Sequence, residues 1–196
     1  MIYLIYLAAG SARRFGQNKL LAPLHGRPVY RYGLESLQTA AAGRADCRVL
    51  VVSRTDEILQ AAKAMGFTPV ESPDSGKGMS CTIRAGICAA GKLQAGDYLL
   101  FAVADQPWLT AASVEKLLDT ARAGCFAATS MYNGQAGSPT VFSAALAPEL
   151  CALQGDSGGR RVLNRYPGRV IPVPLASPRE LADIDTPADL ARAQQE

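Results

Sequence analysis

The sequence predicts an α/β fold with a single doubly wound, mostly parallel sheet that is flanked by helices. Two observations predict it: short apolar runs alternate with segments of helical spacing over the first 125 residues, and the first run leads directly into a glycine-containing loop. Strand–helix–strand units are right-handed and build parallel sheets. A chain of 196 residues suits one domain with a large core, so we expect a single domain spanning residues 1–196.

Local patterns predict the elements of the first 125 residues in turn. Residues 2–7 are β-branched and aromatic, as in a central strand, and Ala8-Ala9-Gly10 ends that strand in a tight turn. Pro28 can open a helix that runs to Leu37 and stops before Gly43, because proline fits the first turn of a helix. Further strands are predicted at 48–52, 67–70 and 98–103, further helices at 58–65 and 80–90, and a last helix in this part follows an N-cap at Thr110.

The pattern is less regular after residue 125. Strands are predicted over 126–131 and 139–142, with a turn at Asn133-Gly134 between them, and a short strand over 170–173. A final helix is predicted near Pro187, with Thr186 as its cap.

Composition excludes several classes of protein. Twenty Lys and Arg residues are scattered among 17 acids, which argues against a nucleic-acid interface, where basic residues are concentrated. Five widely spaced cysteines without a C-x-x-C pair argue against a disulfide framework or a zinc site. The longest N-terminal apolar run has eight residues, too few to span a bilayer. We therefore expect a cytoplasmic protein with no membrane association.

The loop after the first strand is the strongest candidate for a ligand site. Small residues allow close approach of the backbone, and Gly10 and Gly16 can adopt positive φ, so successive N–H groups can converge on an anion. Arg13, Arg14 and Lys19 add three cations, which suits a triphosphate. The spacing fits neither G-x-x-x-x-G-K-[ST] nor G-x-G-x-x-G. From spacing alone, a solvated basic turn remains an equal alternative.

Five segments in order resemble a known family. Residues 7–19 (LAAGSARRFGQNK) resemble the signature L-A-[AG]-G-x-[SA]-x-R-[MF]-G-x-x-K of the molybdenum-cofactor nucleotidyltransferases, the MobA-like NTP transferases of the nucleotide-diphospho-sugar transferase superfamily. The other four resembling segments are DQP at 105–107, GSPTVF at 137–142, GDSGGR at 155–160 and DIDTPADL at 183–190. The resemblance implies a Rossmann-like sheet with a nucleotide-binding part at 1–125 and an acceptor-binding part with a closing helix at 126–196.

The resemblance also implies roles for individual residues. Mg²⁺ takes oxygen ligands and commonly uses one or two carboxylates plus phosphates, so Asp105 and Asp185 are the expected metal ligands, with Asp183 as the alternative to Asp185. Helix capping is the competing interpretation for all three aspartates. Arg14, Lys19 and Asp105 are the expected catalytic residues. The expected nucleotide-binding residues are Leu7, Ala8, Ala9, Gly10, Ser11, Arg14, Lys19, Met79, Ser80 and Asp105, and the expected acceptor-binding residues are Gly137, Asp156 and Arg160.

Residues 76–86 (GKGMSCTIRAG) are similar to the G-M-S-x-S-[LI]-x-x-G stretch of the cytidylyltransferase branch, which implies CTP as nucleotide and molybdopterin as acceptor. Ala12, Thr82 and Ala188 depart from that branch, and Arg13-Arg14 resembles the guanylyltransferase branch. Guanylyltransferase, sugar-1-phosphate nucleotidyltransferase and a non-catalytic protein that delivers cofactor remain alternatives. A molybdenum hydroxylase or its maturation factor is an expected partner.

The implied reaction is in-line attack of an acceptor phosphate on the α-phosphorus, with pyrophosphate leaving. No general base is required, because a phosphate monoester is already ionised at neutral pH. We accordingly interpret His25, the only histidine, as a solvated turn residue, and Trp108 as packing beneath the Asp-Gln-Pro turn.

Overall fold

The computed structural model describes residues 1–9, 15 and 18–195. Within them, seven strands form one sheet in the order β5-β4-β1-β6-β8-β7-β9, and β2 and β3 form a small hairpin of their own. The strands are β1 (Ile2–Leu7), β2 (Pro23–Leu24), β3 (Arg27–Pro28), β4 (Cys47–Ser53), β5 (Thr68–Glu71), β6 (Tyr98–Val103), β7 (Ala127–Tyr132), β8 (Gln135–Ser143) and β9 (Val170–Pro174).

Helices cover both faces of this sheet. The α-helices are α1 (Val29–Ala41), α2 (Asp56–Ala64), α3 (Met79–Ala90), α4 (Ala111–Arg122), α5 (Ala147–Cys151), α6 (Arg160–Leu163) and α7 (Pro187–Ala193). Short 3-10 turns lie at Lys19–Leu21, Pro73–Lys77, Ala144–Leu146, Pro167–Arg169 and Pro178–Leu181. None of the helices in the described part of the chain is both long and apolar enough to cross a membrane.

The strand order changes direction at the centre of the sheet, between β1 and β6. From β1 the chain continues to β4 and β5 on one side, and it then crosses to β6 on the other side. Leu7 at the end of β1 is in register with Val52 of β4 and with Val103 of β6, so the carboxyl ends of these parallel strands are level. Ligands of open α/β sheets bind beyond the strand ends at such a switch point. β8 alone runs antiparallel to its neighbours, β6 and β7, so the predicted mostly parallel doubly wound sheet is confirmed.

Alternation along β1 divides the core between the two faces of the sheet. Leu4 and Tyr6 pack into the cluster under α1 and α4, whereas Tyr3, Ile5 and Leu7 pack into the cluster under α3. All six residues of β1 are buried, as expected of a strand covered on both faces. The hydroxyl of Tyr6 is fully buried and donates to the carbonyl of Tyr30 at 2.7 Å, which satisfies its hydrogen-bonding need.

The outermost strands of the sheet are β5 and β9, and both contain proline. Beyond the end of β5, the Ser72 amide donates inward to Ser53 at 2.9 Å, and beyond β9 the Leu175 amide donates inward to Met131 at 2.9 Å. Successive amides of a strand point to opposite sides, so Pro69, Pro172 and Pro174 take positions where an N–H would face outward.

Most predicted elements are found close to their predicted bounds, and 98–103 is found as predicted. The first helix extends to Ala41 because the buried positions continue past Leu37 to Ala40. The strand predicted at 139–142 begins earlier, at Gln135, since the positive φ values of Asn133 and Gly134 form the tight turn directly before it. The short helices α5 and α6 were not predicted, because four or five residues are too few to show helical periodicity.

Candidate active site

The ends of β1 and β6 are extended by one residue each, and this brings two predicted segments together. The amide of Ala8 donates to Val52 at 2.8 Å, and the amide of Ala104 donates to Leu7 at 3.1 Å. Asp105 follows directly, with its side chain a quarter exposed. Asp105 therefore lies beside the start of the predicted phosphate loop, as the strand pattern predicts.

The segment at 183–185 is fixed against this edge by its central residue. The Ile184 amide donates to the Asp105 carbonyl at 2.9 Å, and its side chain is fully buried in a small core with Phe15, Leu24 and Val29. Residues on either side of a buried extended residue point the other way. The alternation of acid, isoleucine and acid thus anchors the segment and leaves its carboxylates at the cleft.

Lys19 joins the two aspartates that the sequence selects. Its Nζ donates to Oδ2 of Asp105 at 2.7 Å and to Oδ1 of Asp185 at 2.7 Å. The lysine side chain is only 9% exposed, while that of Asp185 is 54% exposed. Burial by itself lowers the pKa of the Lys19 ammonium, but the charge and hydrogen bond of Asp105, together with those of Asp185, outweigh it and raise the pKa. Lys19 is therefore a cation at neutral pH.

The backbone holds Lys19 in this place through a local cap. Lys19 is the first residue of a 3-10 turn, and the Leu20 amide donates to Oδ1 of Asn18 at 3.2 Å. Asn18 Nδ2 donates in turn to the Thr55 hydroxyl at 2.9 Å, which links the turn to the start of α2. The lysine backbone is thus fixed, and its ammonium is placed by its side-chain torsions.

Asp183 lies on the other side of Asp105 and differs from Asp185. The pKa of Asp183 is raised to about 6, first because surrounding protein displaces water from the carboxyl and then because the charge of Asp105 is close. The Asp183 side chain nevertheless remains exposed at the cleft. The Lys19 ammonium pairs with Asp105 and Asp185, which favours Asp185 over Asp183 as the partner of Asp105.

Two cavities meet at this edge of the sheet, and they share Leu7, Met79, Val103 and Asp105. The smaller has a volume of about 140 Å³. It also contains Ala9, Lys19, Leu20, Ser75, Gly78, Thr82, Ala104 and Asp156. The larger has a volume of about 960 Å³ and extends over β7, β8, β9 and α6. Its charged lining residues are Asp105, Asp183 and Arg160.

The cavities separate the predicted site residues into two groups. Leu7, Ala9, Lys19, Met79 and Asp105 line the smaller cavity, and Ala8 is buried directly beside it. Gly10, Ser11 and Arg14 lie outside the described residues. Ser80 is 1% exposed and lines neither cavity; its amide donates to Gly155 at 3.1 Å.

The three predicted acceptor residues do not lie together. Gly137 and Arg160 line the larger cavity, whereas Asp156 lines the smaller one. The cause is the docking of the loop at residues 155–159 on the start of α3. A Cβ at Gly78 would lie 2.3 Å from the Gly155 carbonyl carbon, so the two backbones touch and Asp156 lines the smaller cavity.

Sequence analysis did not select several polar residues of the larger cavity. Gln106, Thr129, Ser138, Thr140 and Asn164 all line it. Gln106 is the middle residue of the Asp-Gln-Pro motif, and Thr140 lies within the segment 137–142, so their motifs were a usable signal. Thr129 and Asn164 lie outside any motif and become neighbours of the cavity only through the fold.

The donors at Asp105 and Asp185 fit a hard divalent cation. The described residues hold no cluster of three or more His, Cys, Asp or Glu side chains suited to a metal ion. Magnesium does not require such a cluster, because one or two carboxylates suffice where phosphates and water complete the shell.

His25 and Trp108 lie away from this chemistry. His25 is exposed in the β2–β3 turn at φ 44°, and its Nε2 lies 3.1 Å from the Ala193 carbonyl. Trp108 packs beside the small core that contains Ile184 and lines neither cavity, in agreement with the predicted packing role.

Sequence comparison places these features among known proteins. Residues 4–170 match the MobA-like NTP transferase domain. The chain is 33% identical over 198 residues to the purine catabolism protein PucB of Bacillus subtilis, covering 94% of this chain and 92% of the relative. It is 27% identical to the molybdenum cofactor guanylyltransferase of Rhodobacter capsulatus, over 97% and 93% of the two chains. It is also 26% identical to nicotine blue oxidoreductase of Paenarthrobacter nicotinovorans, over 96% and 94%.

Structural comparison gives the same fold. A Mycobacterium tuberculosis protein superimposes with a TM-score of 0.80 at 21% identity, over 100% of this chain and 97% of the other. Its complex with manganese superimposes with a TM-score of 0.76 at 22% identity, over 100% and 98%. With the motifs assembled at the switch point and the match over most of its length, the chain belongs to the MobA-like NTP transferase family.

Proposed function

We propose that this protein transfers CMP from CTP to the phosphate of a molybdopterin-type acceptor and releases pyrophosphate, with the help of a divalent cation. The observation that carries the proposal is that Lys19, which lines the smaller cavity, is hydrogen-bonded to Asp105, which lines both cavities, and to Asp185. A transferase of this kind must hold two anionic reactants side by side. A small charged cavity next to a large one provides that arrangement.

The residues divide the work of the reaction by charge. The Lys19 ammonium donates to the triphosphate in the smaller cavity and offsets the negative charge that grows on the leaving pyrophosphate. Arg160 contacts the acceptor phosphate from the larger cavity. Correct placement of both reactants brings the acceptor oxygen in line with the α-phosphorus, which by itself accounts for a large part of the barrier reduction. The acceptor phosphate is already ionised, so no protein base removes a proton.

Asp105 and Asp185 are the residues that would hold the cation. A bound Mg²⁺ or Mn²⁺ would supply Lewis-acid stabilisation of phosphoryl oxygens there. The complex of a structural neighbour with manganese supports a divalent cation at this fold. Two carboxylates in a site that is partly open to solvent fit magnesium, which keeps water and phosphate ligands.

Cytosine preference rests on the sequence. Gly78-Met79-Ser80 and Asp105-Gln106-Pro107 are similar to the cytidylyl branch, and Met79 lines both cavities. Guanylyl transfer is the second candidate. The molybdenum cofactor guanylyltransferase at 27% identity favours it, as does the Arg13-Arg14 pair.

Competition kinetics would test the proposal. With CTP and GTP present together, Mg²⁺ and molybdopterin, we expect the cytosine dinucleotide to dominate, measured by mass detection of the product. Formation of the guanine dinucleotide alone would show that the protein is a guanylyltransferase, the second candidate. Absence of any dinucleotide with all four NTPs would contradict nucleotidyl transfer to this acceptor.

A further inference from the structure

The Lys19 ammonium donates hydrogen bonds to both carboxylates that are proposed to hold the divalent cation. Its Nζ lies 2.7 Å from Oδ2 of Asp105 and 2.7 Å from Oδ1 of Asp185. A metal ion bound between these side chains would take oxygens that the ammonium now uses. Two cations at this spacing also repel each other. Lysine and metal therefore compete for the same pair of aspartates.

The position of Lys19 gives its ammonium an alternative destination. The residue lines the smaller cavity, and its backbone is fixed by the Asn18 cap and the contact of Asn18 with Thr55. The four-carbon stem can therefore swing its charged end while the backbone stays in place. Leaving the two carboxylates without a cation has a cost, which is small for the 54% exposed Asp185, and leaving the 9% exposed lysine unpaired has a larger one. An anion in the smaller cavity removes the second cost, and a metal ion at the aspartates removes the first.

We propose that Lys19 is an exchangeable internal cation, which holds Asp105 and Asp185 in the nucleotide-free protein and releases them to a divalent cation as polyphosphate receives its ammonium. The inference rests on the proposed function, since it places metal and polyphosphate at one site. Metal and nucleotide then favour each other's binding through the lysine, in addition to their direct contact. By linkage, the coupling acts equally in both directions. The protein without nucleotide binds divalent cations weakly.

Titration of nucleotide-free protein with Mn²⁺, followed by electron paramagnetic resonance of the free ion, tests this exchange. We expect Lys19→Met to bind Mn²⁺ at least tenfold more tightly than the wild-type protein, because the competing ammonium is gone. Lys63→Met is the matched control, since it removes one positive charge from an exposed position on α2. Its Mn²⁺ affinity should equal that of the wild-type protein. Adding Asp185→Asn to Lys19→Met should remove most of the gain, which locates the metal.

Thermal unfolding of each variant checks the fold, and Lys19→Gln replaces Lys19→Met in the titration if the methionine variant does not fold. An Mn²⁺ affinity of the Lys19 variant within twofold of wild type would overturn the exchange, as would an equal gain in Lys63→Met. The titration contains no nucleotide. Failure of the exchange therefore leaves wild-type transfer activity in place, whereas absence of transfer with every NTP contradicts the proposed function.

Discussion

The two cavities share a wall but differ in size and in charge. The smaller, of about 140 Å³, contains Lys19, Asp105 and Asp156, whereas the larger, of about 960 Å³, adds mainly neutral residues together with Asp183 and Arg160. Charges in a confined space act strongly on reacting phosphates, and neutral polar groups spread over a large surface act on recognition. Changes in the smaller cavity should therefore reduce the rate, and changes in the larger cavity should alter acceptor affinity.

The largest effect is expected from Asp105→Asn. The amide keeps the shape of the side chain but loses the charge that holds a divalent cation, and loss of one such preorganised group lowers kcat by roughly a hundredfold or more. Initial rates at saturating Mg²⁺ measure it. Asp119→Asn, at an exposed position of α4, serves as the control. Near wild-type turnover in Asp105→Asn would remove Asp105 from the metal site.

Lys19→Ala comes next. We expect NTP affinity to fall by about tenfold or more, because a charge-assisted hydrogen bond contributes about 1.5–3 kcal/mol. Arg27→Ala is the comparison. The Arg27 guanidinium donates to Glu35 at 3.0 Å and stacks 4.5 Å from the centre of the Tyr32 ring, away from both cavities. Nucleotide affinity measured by calorimetry should separate the two variants; equal small losses would make the basic loop a general surface feature.

Arg160→Ala tests the role of the larger cavity, which Arg160 lines. We expect the KM for the acceptor to rise by about tenfold, from loss of one charge-assisted contact, while the KM for the NTP stays within twofold. The neighbouring Arg161 donates to the Ser157 hydroxyl at 3.3 Å and does not line this cavity. Arg161→Ala should therefore behave as wild type. A matching rise in both KM values would show that the cavities do not act separately.

The smallest effect concerns Asp183 and pH. Its pKa in the folded protein, about 6, is above the value of an unfolded chain, about 4. The protonated folded state is thus favoured at low pH, and this contribution to stability is lost as pH rises through about 6. Asp183→Asn removes this pH dependence of the stability, because the amide does not titrate. Thermal unfolding between pH 4 and pH 8 should show the variant gaining stability relative to wild type as pH rises; parallel curves would contradict the raised pKa.

Fold prediction from the sequence succeeded where the physical signal is local. Strands such as Tyr98–Val103 carry their own pattern, and Thr110 and Thr186 cap their helices as predicted, through side chains that accept from Ser113 and Asp189. Residue motifs at strand ends were equally informative, since parallel strands bring their carboxyl ends together. Asp105 was placed at the site by this rule, whereas Asp185 precedes α7 and follows no strand, so its selection depended on the family resemblance.

The predictions that fell short depend on contacts between distant segments. The packing of Gly78 against Gly155 buries Ser80 and places Asp156 at the smaller cavity, and no local pattern in either segment encodes that contact. Likewise, Thr129 reaches the larger cavity because β7 lies next to β8 and β9. The division of the chain at residue 125 and the assignment of individual site residues stay predictions for the experiments above.

The prolines of β5 and β9 bear on how the protein behaves at high concentration. An uncovered sheet edge is a template on which another chain can add a strand, and such growth leads to aggregates. Pro69 on one side, and Pro172 with Pro174 on the other, lie where an outward N–H would offer the first hydrogen bonds to an incoming strand. Both ends of a hydrophobic seven-stranded sheet are thereby made poor templates, so the molecule can keep a wide parallel sheet and still resist edge-to-edge polymerisation.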